Sequence, residues 1–205
     1  QKYKEGDGPG QQAEATNAAE VMFFTDRCQV YKTRLSEFGD SKASVLGDYL
    51  PAKLGMDEGE SVVYMVLPGD YSGHLLFFFE NGKVARVALS AYQTQTRRKK
   101  LTGAYSDKSP LAAACLLTED TEMAVTSTEG RAVVFHTAAL TPKTTRSTQG
   151  VNVMTLKPKY KVADARPLAD TTIVNAARYR ARSLPIAGML LRPEDRAEEQ
   201  MTLLE

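Results

Sequence analysis

Leu75-Leu-Phe-Phe-Phe-Glu-Asn-Gly-Lys-Val-Ala-Arg86 is an apolar, β-prone run, a polar two-residue turn and a second run, and the same arrangement occurs twice more. The copies are Val21-Met-Phe-Phe-Thr-Asp-Arg-Cys-Gln-Val-Tyr-Lys32 and Met123-Ala-Val-Thr-Ser-Thr-Glu-Gly-Arg-Ala-Val-Val134. Asn81-Gly82 and Glu129-Gly130 are turns that want a positive φ, which glycine supplies without strain, and Cys28 holds the matching place in the first copy. The turn positions, Cys28, Gly82 and Gly130, are thus spaced at nearly regular intervals. Ten residues past each turn comes Phe38, Tyr92 or Leu140, taken as equivalent core positions. A period near fifty residues with about four strands per copy is what a propeller blade requires, because one small sheet cannot bury its faces until neighbours stack on it.

A second marker closes the units. It is Lys53-Leu54-Gly55-Met56-Asp57-Glu58-Gly59-Glu60 in the first, a looser stretch ending in Leu111–Leu116 in the second, and Thr155–Val162 in the third. Glu5-Gly6-Asp7 precedes Glu58-Gly59-Glu60 by nearly the interval that separates Cys28 from Gly82, so residues 1–18 are expected to end a preceding, truncated blade. The expected organisation is a blade over 19–70, a second over 71–119, a third over 120–169, and a cap with an acidic tail over 170–205. Helical or irregular structure is expected in that last segment, around Ile173–Arg182. The expected class is all-β.

Of 205 residues 42% are hydrophobic, enough for one or two cores, and no apolar run is long enough to span a membrane, so a soluble protein with no membrane partner is expected. The start, Gln1-Lys2-Tyr3-Lys4-Glu5, carries neither an initiator Met nor a signal-peptide pattern and is taken as a cut end. Two cysteines, Cys28 and Cys115, are too few for a disulfide framework or zinc cage and fit a reducing cytoplasm. His74 and His136 have no spaced ligand partners and His74 no orienting group nearby in sequence, so no catalytic residue, metal site or cofactor is expected. Phe77-Phe78-Phe79 is assigned to core packing rather than to base stacking.

The net charge of +1 conceals strong sorting. Asn81–Ser106 holds Lys83, Arg86, Arg97, Arg98, Lys99 and Lys100 with no acid, and Arg131–Ala163 holds Arg131, Lys143, Arg146, Lys157, Lys159 and Lys161, again with none. Sorting matters more than the sum for a polyanionic partner.

Leu75–Tyr92 followed by Gln93-Thr-Gln-Thr-Arg-Arg-Lys-Lys-Leu101 resembles the blade bearing the basic box in the C-terminal domain of the A subunit of bacterial DNA gyrase and topoisomerase IV, the type IIA topoisomerases. Gln95, Arg97, Arg98 and Lys99 keep the polar and basic content; the family's glycine pair is missing and Thr96 is inserted. Phe23–Tyr31 resembles the family's "FFTNRGRVY" hairpin, Lys53–Glu60 its "LLPLEEGE" closure and Gly150–Leu156 its "GVxxxxL" element. The resemblance implies a β-pinwheel, propeller-like blades with strands exchanged between neighbours, whose basic rim wraps double-stranded DNA without reading sequence. It also implies that the cleaving tyrosine and metal site lie in the rest of the A subunit and the ATPase on the B subunit. Arg97, Arg98, Lys99 and Lys100 are the leading candidate DNA contacts, with Lys143 and Arg146 next and Arg86 and Lys42 in support. Glu194, Asp195, Glu198 and Glu199 are candidates for folding back on that rim as a DNA mimic. The alternative is a propeller-type protein-interaction module whose basic loops meet an acidic partner.

Overall fold

The structure is a computed structural model and describes residues 19–38, 52, 54–95 and 98–197. Among these, the strands follow in chain order as β1 (Glu20–Thr25), β2 (Gln29–Arg34), β3 (Val62–Val66), β4 (His74–Phe79), β5 (Lys83–Ala88), β6 (Lys100–Thr102), β7 (Leu111–Leu117), β8 (Glu122–Ser127), β9 (Arg131–His136), β10 (Val151–Asn152), β11 (Val162–Pro167) and β12 (Met189–Leu190). They form three four-stranded antiparallel sheets, ordered β3-β1-β2-β6, β10-β5-β4-β7 and β11-β8-β9-β12. After β11 comes a one-turn α-helix, α1 (Ala176–Tyr179). The chain divides into two compact units, residues 1–72 with 92–104 and residues 73–91 with 105–205. The first holds the first sheet, the second the other two.

The three hairpins supply the central strand pairs, and their turns take the expected backbone: Gly82 and Gly130 have φ of 90° and 89°, and Cys28 adopts φ 56° in the same place. Only a residue without a β-carbon enters that region freely, so Cys28 carries local strain. Three interactions repeat at the hairpin spacing. Backbone N–H groups of Asp26, Glu80 and Thr128 donate to the carbonyls of Ser61, Pro110 and Lys161, which docks the closing strand of each sheet. Leu35, Leu89 and Thr137 donate to Ala19, Gly73 and Thr121, and each opens a short 3-10 turn after the second hairpin strand. The turn carbonyls of Cys28, Gly82 and Gly130 accept from Ala104, Val153 and Leu191.

That last bond belongs to the fourth strand of each sheet, which comes from the repeat that follows: β6 joins β2, β10 joins β5 and β12 joins β9. The repeats are therefore interlocked rather than closed on themselves. Residues 170–205, expected as a cap, instead supply β12 and complete the third sheet, with Tyr179 and Leu191 buried against Ala124, Ala132 and Val134.

Each central hairpin strand is covered on both faces, which is why it is written as a continuous apolar run rather than an alternating one. Phe77, Phe78 and Phe79 are all buried, and Phe77 stacks on Tyr105 with ring centroids 5.3 Å apart. Burying one such side chain contributes about 1.5–3 kcal/mol. In the second unit one core runs between its two sheets, with Leu76, Phe78 and Val84 meeting Met123, Val125, Val133 and Phe135. Of the equivalent positions after the turns, Tyr92 and Leu140 are buried, whereas the Phe38 side chain lies outside the described residues.

Glu60 fastens the first hairpin. It is 6% exposed, and one carboxylate oxygen accepts from Tyr31 Oη (2.8 Å) and the Asp57 N–H (2.9 Å). The other accepts from Gln29 Nε2 (2.8 Å) and the Thr25 hydroxyl. Burial pushes this carboxyl up, but the four donors together outweigh it and hold the group below the ordinary glutamate value.

Candidate nucleic-acid interface

The loops after the 3-10 turns that open at Leu89 and Thr137 leave their own repeats and run along the second hairpin strand of the preceding one. In the first unit, Tyr92 anchors the start of this loop: its hydroxyl donates to the Ala104 carbonyl (2.6 Å) and its ring packs edge-on against Phe24 at 5.4 Å. The Lys32 N–H donates to the Lys99 carbonyl (2.7 Å), and Lys100 pairs with Tyr31 in register. Because the backbone is held at these points, Arg98, Lys99 and Lys100 project as exposed cations from a fixed track. The Lys100 ammonium sits 5.6 Å above the Tyr31 ring. Arg98 and Lys99 line an open groove of about 450 Å³ with Lys32, Arg34, Glu20 and Tyr71. Burial and then the neighbouring Glu20 push the Tyr71 phenol far above its ordinary value, so it remains a donor to Glu20 Oε1 (3.0 Å).

In the second unit, the Lys143 N–H donates to the Arg86 carbonyl and the Ala88 N–H donates to the Lys143 carbonyl, both at 2.8 Å. Lys99 backs Lys32 and Lys143 backs Arg86, and each of these strand residues is the fourth after the turn position of its hairpin, Cys28 or Gly82. Both cations are thus bonded through the main chain to the fourth residue after a hairpin turn, Lys99 as acceptor in an antiparallel pair and Lys143 as donor beside a parallel bridge to Val87. Lys143 is exposed; Arg146 is half-buried and donates from Nη1 to the Ala91 carbonyl (2.9 Å). Among the described residues no carboxylate pairs with Arg98, Lys99, Lys100 or Lys143. Arg97 and Lys42 lie outside the described residues.

Arg86, expected as a supporting DNA contact, is placed elsewhere. It is 8% exposed, its Nη1 donates to Asp120 Oδ1 (2.8 Å) and to the carbonyls of Thr137 (2.8 Å) and Leu140 (3.3 Å), and its Nε donates to His74 Nδ1 (3.0 Å). Its charge is used to hold the third repeat's 3-10 turn to β5. His74, with no orienting group nearby in sequence, is thus met by Arg86, twelve residues away. Burial, reinforced by the Arg86 charge and opposed by Asp120, keeps that imidazole below its ordinary value.

The sequence sorting of charge is only partly kept in space. Within the acid-free stretch 131–163, Arg131 and Lys157 pair with Glu129 and Lys161 pairs with Glu80. Asp195 of the acidic tail is buried, accepting from Tyr179 Oη (2.5 Å) and the Val174 N–H (2.7 Å), so it holds the C-terminal segment. Glu198 and Glu199 lie outside the described residues. Among the described residues no cluster of three or more His, Cys, Asp or Glu side chains is disposed to hold a metal ion, and no helix is long and apolar enough to cross a membrane.

Four-stranded antiparallel sheets, each completed by a strand from the next repeat, define a β-pinwheel of the propeller-like class. Residues 19–67, 73–100 and 122–169 match the family model described as DNA gyrase C-terminal domain, beta-propeller, and with more than half of its length matched the chain belongs to that family. Three solved structures share the fold. The C-terminal domain of DNA topoisomerase IV superposes with a TM-score of 0.72 at 18% identity, covering 85% of this chain and 58% of that one. The DNA gyrase A C-terminal domain gives 0.58 at 16% identity, with 87% and 63% covered. The C-terminal domain of ParC from E. coli gives 0.64 at 12% identity, with 86% and 78% covered. This chain spans about three-fifths of the length of the first two. No curated protein matches it in sequence.

Proposed function

We propose that the chain binds and bends double-stranded DNA without reading its sequence, as the C-terminal part of a cytoplasmic bacterial type IIA topoisomerase A subunit. In this reading the rest of that subunit cleaves DNA, the B subunit hydrolyses ATP, and the present residues do no chemistry and hold no cofactor. The observation that carries it is the recurrence of exposed cations that pair with no carboxylate among the described residues, Arg98, Lys99 and Lys100 in one loop and Lys143 in the next, with Lys99 and Lys143 each bonded through the main chain to the fourth residue after a hairpin turn. Arg97 and Lys42 join them on sequence grounds, and Arg146 supports them from a half-buried position.

Cations that recur on a fixed backbone suit this task. Bending duplex by 40–90° over 20–30 base pairs costs on the order of 1–6 kcal/mol, so many phosphate contacts must offset it. Each neutralised phosphate releases counterions and adds about 0.9 to the log–log salt slope, so the four described cations alone give a slope of roughly −3.6. Titration of a random-sequence duplex over a potassium chloride series tests this. The expected result is steep weakening with salt, little dependence on sequence and a gain with DNA length. A flat, weak response favours the protein-interaction alternative, and Lys99→Gln with Lys143→Gln should make the slope shallower.

A further inference from the structure

The segment after β11 repeats much of the backbone pattern of the Lys143 loop. The Ala181 N–H donates to the Val134 carbonyl (2.9 Å), and Val134 is the fourth residue after Gly130, as Arg86 is after Gly82. Val134 and Arg180 form a parallel bridge, one residue nearer the turn than the parallel bridge of Val87 with Lys143. Gly188 then lies against the Ala132 carbonyl as Gly150 lies against that of Val84, Ala132 and Val84 being each the second residue after their turn glycine. Each of these close-packed glycines immediately precedes the exchanged strand.

Three arginines surround this point and differ in their engagements. Arg178 donates through Nε (3.3 Å) and Nη2 (3.1 Å) to the Leu190 carbonyl, tying α1 to β12. Arg180 is held in a two-pronged pair by Glu122, Nε to Oε2 at 2.8 Å and Nη2 to Oε1 at 3.0 Å, with half of its side chain exposed. Arg182 is exposed, and no carboxylate among the described residues pairs with it. A half-exposed surface ion pair contributes little by itself, so a phosphate can compete for Arg180.

We propose that Arg180–Arg182 is a third DNA-contacting loop, in which Arg182 is available to a phosphate and Glu122 withholds Arg180 from one. The inference rests on the DNA-binding reading above. Ala181 takes the backbone place of Lys143, so Arg182 adds a phosphate contact one residue beyond it, while Glu122 sets how many cations this loop offers. Among the described residues no corresponding carboxylate restrains Lys143, so the third loop is the weaker one until Glu122 is removed or displaced.

The test measures fluorescence anisotropy of a labelled 40-base-pair random duplex with the full chain in 50–200 mM potassium chloride, comparing wild type, R182Q, E122Q, E122Q with R180Q, and K143Q. Thermal melts confirm that each variant is folded. One contact fewer lowers the log–log slope by about 0.9, so R182Q should lose about 3.5-fold less affinity than wild type across this fourfold salt range. E122Q should bind more tightly with a steeper slope, and adding R180Q should return it to wild type. If R182Q or E122Q matches wild type while K143Q is shallower, the third loop or its restraint is refuted. If wild type itself binds weakly with a flat salt response, the DNA-binding reading falls and the inference with it.

Discussion

Replacing Glu60 by Gln should selectively weaken the first unit, and the effect should vanish in acid. The carboxylate accepts four hydrogen bonds and has no cation among those partners, so its charge is stabilised wholly by oriented dipoles. In the best orientation of the new amide, its oxygen keeps the Asp57 N–H and Tyr31 hydroxyl. Its nitrogen then replaces the oxygen facing Thr25 and Gln29, which must rotate to accept. Hydrogen bonds to a charged group contribute about 1.5–3 kcal/mol each against about 0.5–1.5 for neutral ones, and part of the loss is returned because a neutral amide is easier to bury. A net loss of about 2–3 kcal/mol follows for Glu60→Gln, and Glu60→Ala, which strands several donors, should lose more. The chain has no tryptophan, so urea unfolding can be followed by tyrosine fluorescence, to which Tyr31, bonded to Glu60, is one of nine contributors. The folded-state pKa of Glu60 lies below its ordinary 4.5, so its contribution is complete above that value and is lost as pH falls through the folded one. The stability gap between wild type and Glu60→Gln should therefore be full at pH 7 and close progressively below pH 4.5. A gap smaller than about 0.5 kcal/mol at pH 7, or one that persists undiminished in acid, refutes the argument.

Gly82→Ala should cost about 3 kcal/mol or more, because a β-carbon there collides with the Met154 carbonyl while φ stays at 90°. Gly130→Ala has the same backbone strain but open space, so about 1–2 kcal/mol is expected; equal losses in urea titrations would show that strand exchange contributes nothing at position 82. His74 and Arg86 give a pH signature. His74 is neutral in the fold with its pKa below 6.5, so the unfolded chain takes up the proton first as pH falls and stability is lost below 6.5. Between pH 7 and 5 the denaturation midpoint of wild type should fall more steeply than that of His74→Gln; parallel profiles would rule out the linkage. Arg86→Gln should lose about 2–4 kcal/mol at pH 7, since it strands the carbonyls of Thr137 and Leu140 and unpairs Asp120.

The three hairpins were legible because their information is local. A positive-φ turn and two flanking apolar runs state themselves within a dozen residues, even where Cys28 stands for glycine. The fourth strand of each sheet was not legible. β10 and β12 are two residues long with exposed side chains, and their places are set by backbone bonds from Val153 and Leu191 to turn carbonyls far away in sequence. A periodicity of side chains cannot report an element fixed by its main chain. The signal that existed was steric: Gly150 and Gly188 each stand one residue before an exchanged strand, pressed against a carbonyl where a β-carbon has no room. As a pair they assign the segment after Asp170 to the last sheet rather than to a cap.

The candidate site was half legible for the same physical reason. Arg86 and Lys143 both stand in stretches of sequence empty of acids, and their main chains are hydrogen-bonded to each other at 2.8 Å, yet one is interior and the other exposed. Position within a central strand decides the first: a β5 side chain facing the next repeat must be buried, and a buried guanidinium requires acceptors, which Asp120, His74 and two carbonyls supply. Position in a loop held only by its backbone decides the second. A cation is most available to a phosphate where the fold commits the main chain rather than the side chain to structure. By that rule Lys99 and Lys143 form one class, and Arg86, Arg178 and Arg131 another, although composition and spacing treat all five alike.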